Sequence, residues 1–180
     1  MNINHATSLR RIITENNQDG RSVIAIDGPP SQHIEWSDGS GLYEIWTEAP
    51  GMDNSSIIPE SIEPLSLCPP AGGFKVRWFT AMPGLEGEPG DDFAKTTSEA
   101  FASIGAADLQ PDTSRHAAMH TTQTIDAIIV VSGQVRLILD DEERLLSAGD
   151  VVMQRGTNHA WAAVGDEPVV MVAVLIDREK

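Results

Sequence analysis

The sequence predicts an all-β fold, an antiparallel barrel or jelly roll carrying one short helix. Three observations point there. Short apolar stretches recur along the chain, Gly- and Pro-rich turns separate them, and only Thr96–Gly105 carries paired helix start and stop signals. A length of 180 residues suits one domain with a real core. Residues 1–180 therefore read as a single unit, with residues 1–90 adding N-terminal strands and loops to the same barrel.

In chain order, residues 1–9 form a lead-in and Leu9–Thr14 is short and mixed in pattern. Asn16-Asn17-Gln18-Asp19-Gly20 is a turn cluster. Arg21–Asp27 alternates as a strand and Gly28-Pro29-Pro30 ends it. In Leu42–Thr47, period-two alternation puts Leu42, Glu44 and Trp46 on one face. Asp53–Glu63 is polar and turn-rich. Lys75–Thr80 is a third strand, with Val76, Trp78 and Thr80 sharing a face. Pro83–Asp92 is acidic and rich in Gly and Pro, which predicts a loop. The helix then starts at Thr96 as N-cap with Glu99 as capping-box partner, and Gly105 stops it. Phe101 and Ile104, three apart, would seal one edge of the barrel.

From Ser114 onward the chain reads as almost all strand. Ala127–Val131 and Val135–Leu139 flank a turn at Gly133, and Asp140–Glu143 makes a solvated reversal before Leu145-Leu146. Gly149-Asp150 precedes Val151–Met153. Val169–Ile176 is an unbroken apolar run with several β-branched residues, predicting a strand covered on both faces.

Charge and composition narrow the function. The net charge of −15 leaves no basic patch to neutralise phosphates, so nucleic acid is not the expected partner. The same charge opposes an anionic membrane surface. No stretch approaches the roughly 18 apolar residues of a membrane span, and no secretory core follows Arg10-Arg11. Cys68 is the single cysteine, which fits a reducing, cytoplasmic location and a structural thiol.

The chemistry-bearing residues gather between Met119 and His159. His120 and Thr122 share a strand face, and His116 shares that parity if the strand extends back. Asp126 begins the next strand and His159 arrives from the other sheet. Two imidazoles and one carboxylate, His120, Asp126 and His159, make a set suited to Fe(II), Zn²⁺ or Mn²⁺. The plainer alternative is a hydrogen-bonded acid–imidazole pair in a metal-free pocket. His116 sits about 13 Å along a strand from His120, too far for one coordination sphere unless the chain folds back. Trp161 shares the face of His159 and would wall the pocket. Arg136 is either an outward polar residue or a contact for a substrate carboxylate.

These residues carry a family resemblance. Ser114, His120, Thr122, Asp126 and Gly133 fall on the Gly, His, His, Glu and Gly of the first cupin motif. Gly149-Asp150-Val151-Val152-Met153, followed by Gln154-Arg155-Gly156-Thr157-Asn158-His159, resembles the second motif without its proline and one residue shorter. The family's closing Asn falls on Ala163. Residues 114–176 thus resemble the cupin barrel core, in a cupin-2 type of chain with extra N-terminal strands. The resemblance implies a jelly roll that often holds a divalent metal and pairs as a homodimer. Two readings follow. One is a metal-dependent enzyme (isomerase, cyclase, lyase or dioxygenase type) acting on a small oxygenated molecule, with His120, Asp126 and Thr122 at the chemistry. The other is a non-catalytic small-ligand binder whose metal site has degraded.

Overall fold

A computed structural model describes residues 8–52, 64–84 and 91–178. Asp53–Glu63 and the middle of the Pro83–Asp92 stretch lie outside them. Among the described residues eleven strands run in chain order: β1 (Arg11–Asn16), β2 (Ser22–Gly28), β3 (His33–Glu35), β4 (Gly41–Glu48), β5 (Phe74–Ala81), β6 (Thr124–Ser132), β7 (Gln134–Leu139), β8 (Glu143–Ser147), β9 (Val151–Gln154), β10 (His159–Val164) and β11 (Val169–Asp177). Helix α1 (Asp91–Ser103) lies between β5 and β6.

A six-stranded antiparallel sheet in the order β3-β4-β5-β11-β6-β9 faces a three-stranded sheet in the order β10-β7-β8. Ile128, Val130, Met171, Ala173 and Leu175 of the first sheet pack against Val135 and Ala163 of the second, all buried. This two-layer arrangement is the predicted jelly roll, and each layer buries the apolar face that the other needs.

Strands at the centre of the large sheet explain its interior. On β11, Val169, Met171, Ala173 and Leu175 are buried, while Val170, Val172 and Val174 are half-buried and Ile176 is exposed. The strand is therefore covered on one face and partly on the other, not fully on both. An unbroken apolar run does not distinguish these cases, because β-branched residues also suit a half-covered face. On β5, Lys75 and Arg77 turn inward, with Arg77 opposite Glu44 and Phe79 opposite Leu42 on β4. The register then slips, so Trp46 pairs with Val76 and leaves the Leu42 and Glu44 face. A bulge of this kind inverts the parity that period two would give.

The N-terminal strands divide. β3, β4 and β5 extend the barrel sheet, whereas β2 pairs only with β1 in a separate two-stranded sheet. That sheet is fastened by Arg11, whose guanidinium donates to the Pro29 and Ile45 carbonyls. Neither β1 nor β3 stands out in the sequence, being short and weakly alternating.

Helix α1 begins at Asp91, five residues before the predicted N-cap. Thr96 lies inside it and donates its hydroxyl to the Asp92 carbonyl at 2.9 Å. At a cap the Thr oxygen would accept from an amide ahead, whereas in mid-helix its hydroxyl donates back to the carbonyl four residues before, so the capping pattern marked the right segment but the wrong end. The C-terminus agrees with the reading. Gly105 has φ +69°, and the Ala106 and Gly105 amides donate back to Phe101 and Ala102.

The segment expected as continuous strand from Ser114 is instead an irregular connection up to Gln123, meeting β10 only through an isolated bridge between His120 and His159. It is held from below by the turn at Gly156. That residue has φ +70°, and a Cβ there would stand 2.8 Å from the Thr122 carbonyl oxygen. Thr121 Oγ1 also donates to the Gly156 carbonyl at 2.9 Å. Gly156→Ala is expected to cost about 1–3 kcal/mol, from the left-handed backbone and the close approach together. Urea unfolding of the purified variant checks it, and a change below a few tenths of a kcal/mol would refute the close-approach account.

Candidate functional site

Small side chains create the site. Ala163 on β10 and Ala173 on β11 belong to the core between the sheets and line a cavity of about 420 Å³. Its walls are mostly apolar: Phe79 and Leu42 from the large sheet, Trp161 from β10, and Phe93, Phe101 and Ile104 from helix α1. The predicted apolar pair on the helix thus covers the cavity.

The two histidines are brought together by backbone. His120 and His159 exchange reciprocal amide–carbonyl bonds of 2.9 Å each, which sets their side chains on the same face. Their ring centroids lie 4.3 Å apart. Phe101 stands 5.0 Å from His120 and Trp161 stands 5.7 Å from His159, so the imidazoles continue a row of aromatic rings. His120 Nδ1 lies 2.9 Å from the Ala118 carbonyl, and His159 Nδ1 lies 2.9 Å from the Thr157 carbonyl. A carbonyl only accepts, so each Nδ1 carries the proton and each Nε2 keeps its lone pair.

Burial keeps both rings neutral. It pushes the His120 pKa below its ordinary value and that of His159 down to about 3, with the neighbouring His120 adding to the effect on His159. Asp126, third in β6, moves the other way. Burial raises its carboxyl to about 6, against the opposing pull of the Thr124 hydroxyl and Arg77. Its Oδ1 is buried with no hydrogen-bond partner among the described residues. Thr122 is buried and lines the cavity, its hydroxyl 2.6 Å from that of Thr124.

The expected site residues are thus distributed as follows. His116, His120, Thr122, Asp126, His159 and Trp161 all line the one cavity. His116 accepts the Ala118 amide on its Nδ1 at 3.1 Å and packs edge-on to Phe93. Arg136 does not line it. It follows buried Val135 on β7 and turns to the other side of that strand, with its guanidinium 3.8 Å from Glu143. Strand alternation sends Val135 and Leu137 inward and Arg136 outward.

The three-ligand metal set is not gathered. Among the described residues no group of three His, Cys, Asp or Glu side chains converges as a metal site. The two imidazoles are adjacent, but the Asp126 carboxyl is directed to Thr124 and Arg77 on its own sheet. The donors as they stand do not fit a facial triad.

One buried cavity-lining residue was not singled out in the sequence. Arg77 is 1% exposed, lines the cavity, and belongs to a buried group with Glu44 and Lys75. Its Nη2 lies 2.8 Å from Glu44 Oε1 and donates to the Ser66 carbonyl at 2.6 Å. Lys75 Nζ donates to the same carbonyl at 2.8 Å, and burial lowers its pKa to about 8. The available signal was two cations at i and i+2 in an apolar strand, which parity sends to the same face as each other.

The histidine shifts carry a stability consequence. A histidine whose folded pKa is lowered binds protons more readily unfolded, so stability is lost as pH falls below about 6.5. Asp126, raised from 3.8 to about 6, acts oppositely and loses stabilisation as pH rises between those values. Both histidines act in the same direction, so the melting temperature should fall from neutral pH toward pH 4, which lies within the His159 window of about 3 to 6.5. His159→Asn keeps a donor for the Thr157 carbonyl but cannot titrate, and its melting temperature should fall less over the same range. Parallel curves for the two proteins would refute this assignment.

Comparison with known proteins agrees with the architecture. Residues 106–175 match the family model Cupin_2, described as Cupin domain. A phomopsin biosynthesis cluster protein C′ from Diaporthe leptostromiformis is 52% identical over 44 residues, 24% of this chain and 23% of that protein. A cupin-domain-containing oxidoreductase from Neurospora crassa is 43% identical over 63 residues, 33% of this chain and 32% of that protein. The matched segments thus span only a quarter to a third of these relatives. Among solved structures, a Cupin 2 conserved barrel domain protein from Salinispora arenicola aligns with TM-score 0.41 and 18% identity, covering 80% of this chain and 81% of that one. No helix among the described residues is long and apolar enough to cross a membrane. Over residues 106–175, which include His120, Asp126 and His159, the chain is similar to the cupin domain family.

Proposed function

We propose that the chain is an enzyme that moves a proton at carbon on a small oxygenated organic molecule held in the barrel, in the manner of an isomerase, cyclase or lyase. One observation carries the reading: two adjacent neutral imidazoles whose Nδ1 protons are committed to carbonyls, so that Nε2 is the basic atom of each. His120, less buried than His159, is the base. Asp126 in its protonated form donates to the developing oxyanion, and Thr122 orients that donor's neighbour, Thr124. The apolar cavity excludes water and strengthens both interactions. Relatives named as cupin-domain-containing oxidoreductases, matched over about a third of this chain, support an enzymatic rather than a purely binding role.

The test needs no prior substrate. Small ketones and oxo acids are incubated with the protein in D₂O, and deuterium at the carbon next to the carbonyl is read by mass spectrometry. Wild-type protein should incorporate deuterium. His120→Asn keeps the bond to Ala118 but removes Nε2, and should reduce the rate about 10²–10⁴-fold. No exchange with any compound would favour the binder reading instead.

A pH profile separates the roles. Exchange should fall as pH rises through about 6, where Asp126 loses its proton. Asp126→Asn retains a donor and should flatten that limb. A divalent ion (Fe, Zn or Mn) on the two imidazoles is the competing reading, favoured by their free Nε2 atoms. Stoichiometric metal in protein purified without chelator, together with exchange abolished by EDTA, would replace the acid–base account with that one.

A further inference from the structure

The cavity contains a polar feature that proton transfer at His120 does not use. Arg77 is 1% exposed, lines the cavity, and its Nε and Nη1 donors have no acceptor among the described residues. Among the described residues its partners are the Glu44 carboxylate and the Ser66 carbonyl, both met through Nη2. A guanidinium cannot shed its charge to relieve burial, so unmet donors are costly until an acceptor arrives.

The surroundings bear on which acceptor suits. Glu44, Lys75 and Asp126 are the charged groups buried with Arg77, and Cys68 is close enough to sense its charge. Lys75 is spent on Ser66, through both its carbonyl and its hydroxyl. With Asp126 protonated, two cations face the single carboxylate of Glu44, leaving the corner short of one negative charge. The remaining walls nearby are apolar: Phe79, Leu42, Ala173 and Leu175. A mostly apolar pocket with one fixed cation at its inner end is the arrangement for an amphiphilic anion.

We infer that Arg77 is the anchor of a carboxylate subsite, and that the cavity takes a small carboxylic acid anion with an apolar body, its head on the free donors of Arg77 and its body toward Phe79 and Trp161. This names the substrate class of the enzyme proposed above and rests on that reading for turnover, though not for binding. Arg77 is here a binding and specificity residue, since it lies on the sheet of Asp126 rather than with the histidine pair.

Phenylacetate and phenylacetamide, equal in shape and different in charge, are the probes, titrated calorimetrically into wild-type protein at about pH 5, where Asp126 holds its proton. The wild type should bind phenylacetate about tenfold or more tighter than the amide, as expected for a charge-assisted contact in a dry site. Arg77→Met alone would strand Glu44 without its partner, so the variant is Glu44→Gln with Arg77→Met, checked for folding by its thermal melt. It should bind acid and amide alike. Should that pair not fold, Arg77→Lys keeps the charge, loses the planar fork, and should narrow the preference for the acid. Equal wild-type affinities, no phenylacetate binding to the wild type, or a preference unchanged in a folded variant would overturn the subsite. Deuterium exchange keeps the two readings apart. Carboxylate binding without exchange on any compound sinks the enzyme and leaves the subsite standing. Exchange on neutral ketones with no carboxylate preference does the reverse.

Discussion

Two backbone hydrogen bonds, exchanged between His120 and His159, hold the functional end of this barrel together. The connection from Pro111 to Gln123 has little regular structure, and that bridge is its one strand-like contact with β10. The pairing geometry of an antiparallel bridge decides that the two side chains emerge side by side. Everything chemical about the site follows from that adjacency: the coupled lowering of basicity, the aromatic row from Phe101 to Trp161, and two Nε2 atoms at one cavity. Gly156 supports the bridge from beneath, because only a residue without Cβ lets the turn approach the Thr122 carbonyl so closely.

The cavity has a division of labour between its two sheets. The small sheet, through β10, supplies imidazole and indole. The large sheet, through β5 and β6, supplies Arg77 and Asp126. Ala163 and Ala173 keep the space between them open, and helix α1 closes it with Phe93, Phe101 and Ile104. The imidazoles and the Asp126 carboxyl line the same cavity from different elements, and burial lowers the basicity of the rings while raising the pKa of the acid. The separation of Asp126 from the histidine pair is also what leaves the three-ligand set unassembled.

Much of this was legible in residue order. Gly133 and Gly149-Asp150 marked the turns, alternation marked β4 through β7, and the apolar run from Val169 marked β11. The histidines, Asp126, Thr122 and Trp161 were all recognised as belonging to one cavity. Arg136 was not resolved, because an arginine on an alternating strand satisfies both an inward and an outward reading until the sheet's inner face is known. The start of helix α1 was misread because a mid-helix Thr with Glu three residues on has the pattern of a cap.

What the sequence determined by itself is the periodic and local part: an all-β chain, its turns at glycine, and the residue types for acid–base chemistry near one another in order. Only the tertiary structure decided which of them meet. The register of β4 on β5 set Arg77 against Glu44, the slip after Glu44 turned Trp46 away, and the bridge at His120 joined rings 39 positions apart in sequence, as the numbers 120 and 159 give. The physical reason is that alternation fixes faces only within one unbroken strand. Bulges, isolated bridges and the choice of facing sheet are settled by packing between segments that local sequence does not encode.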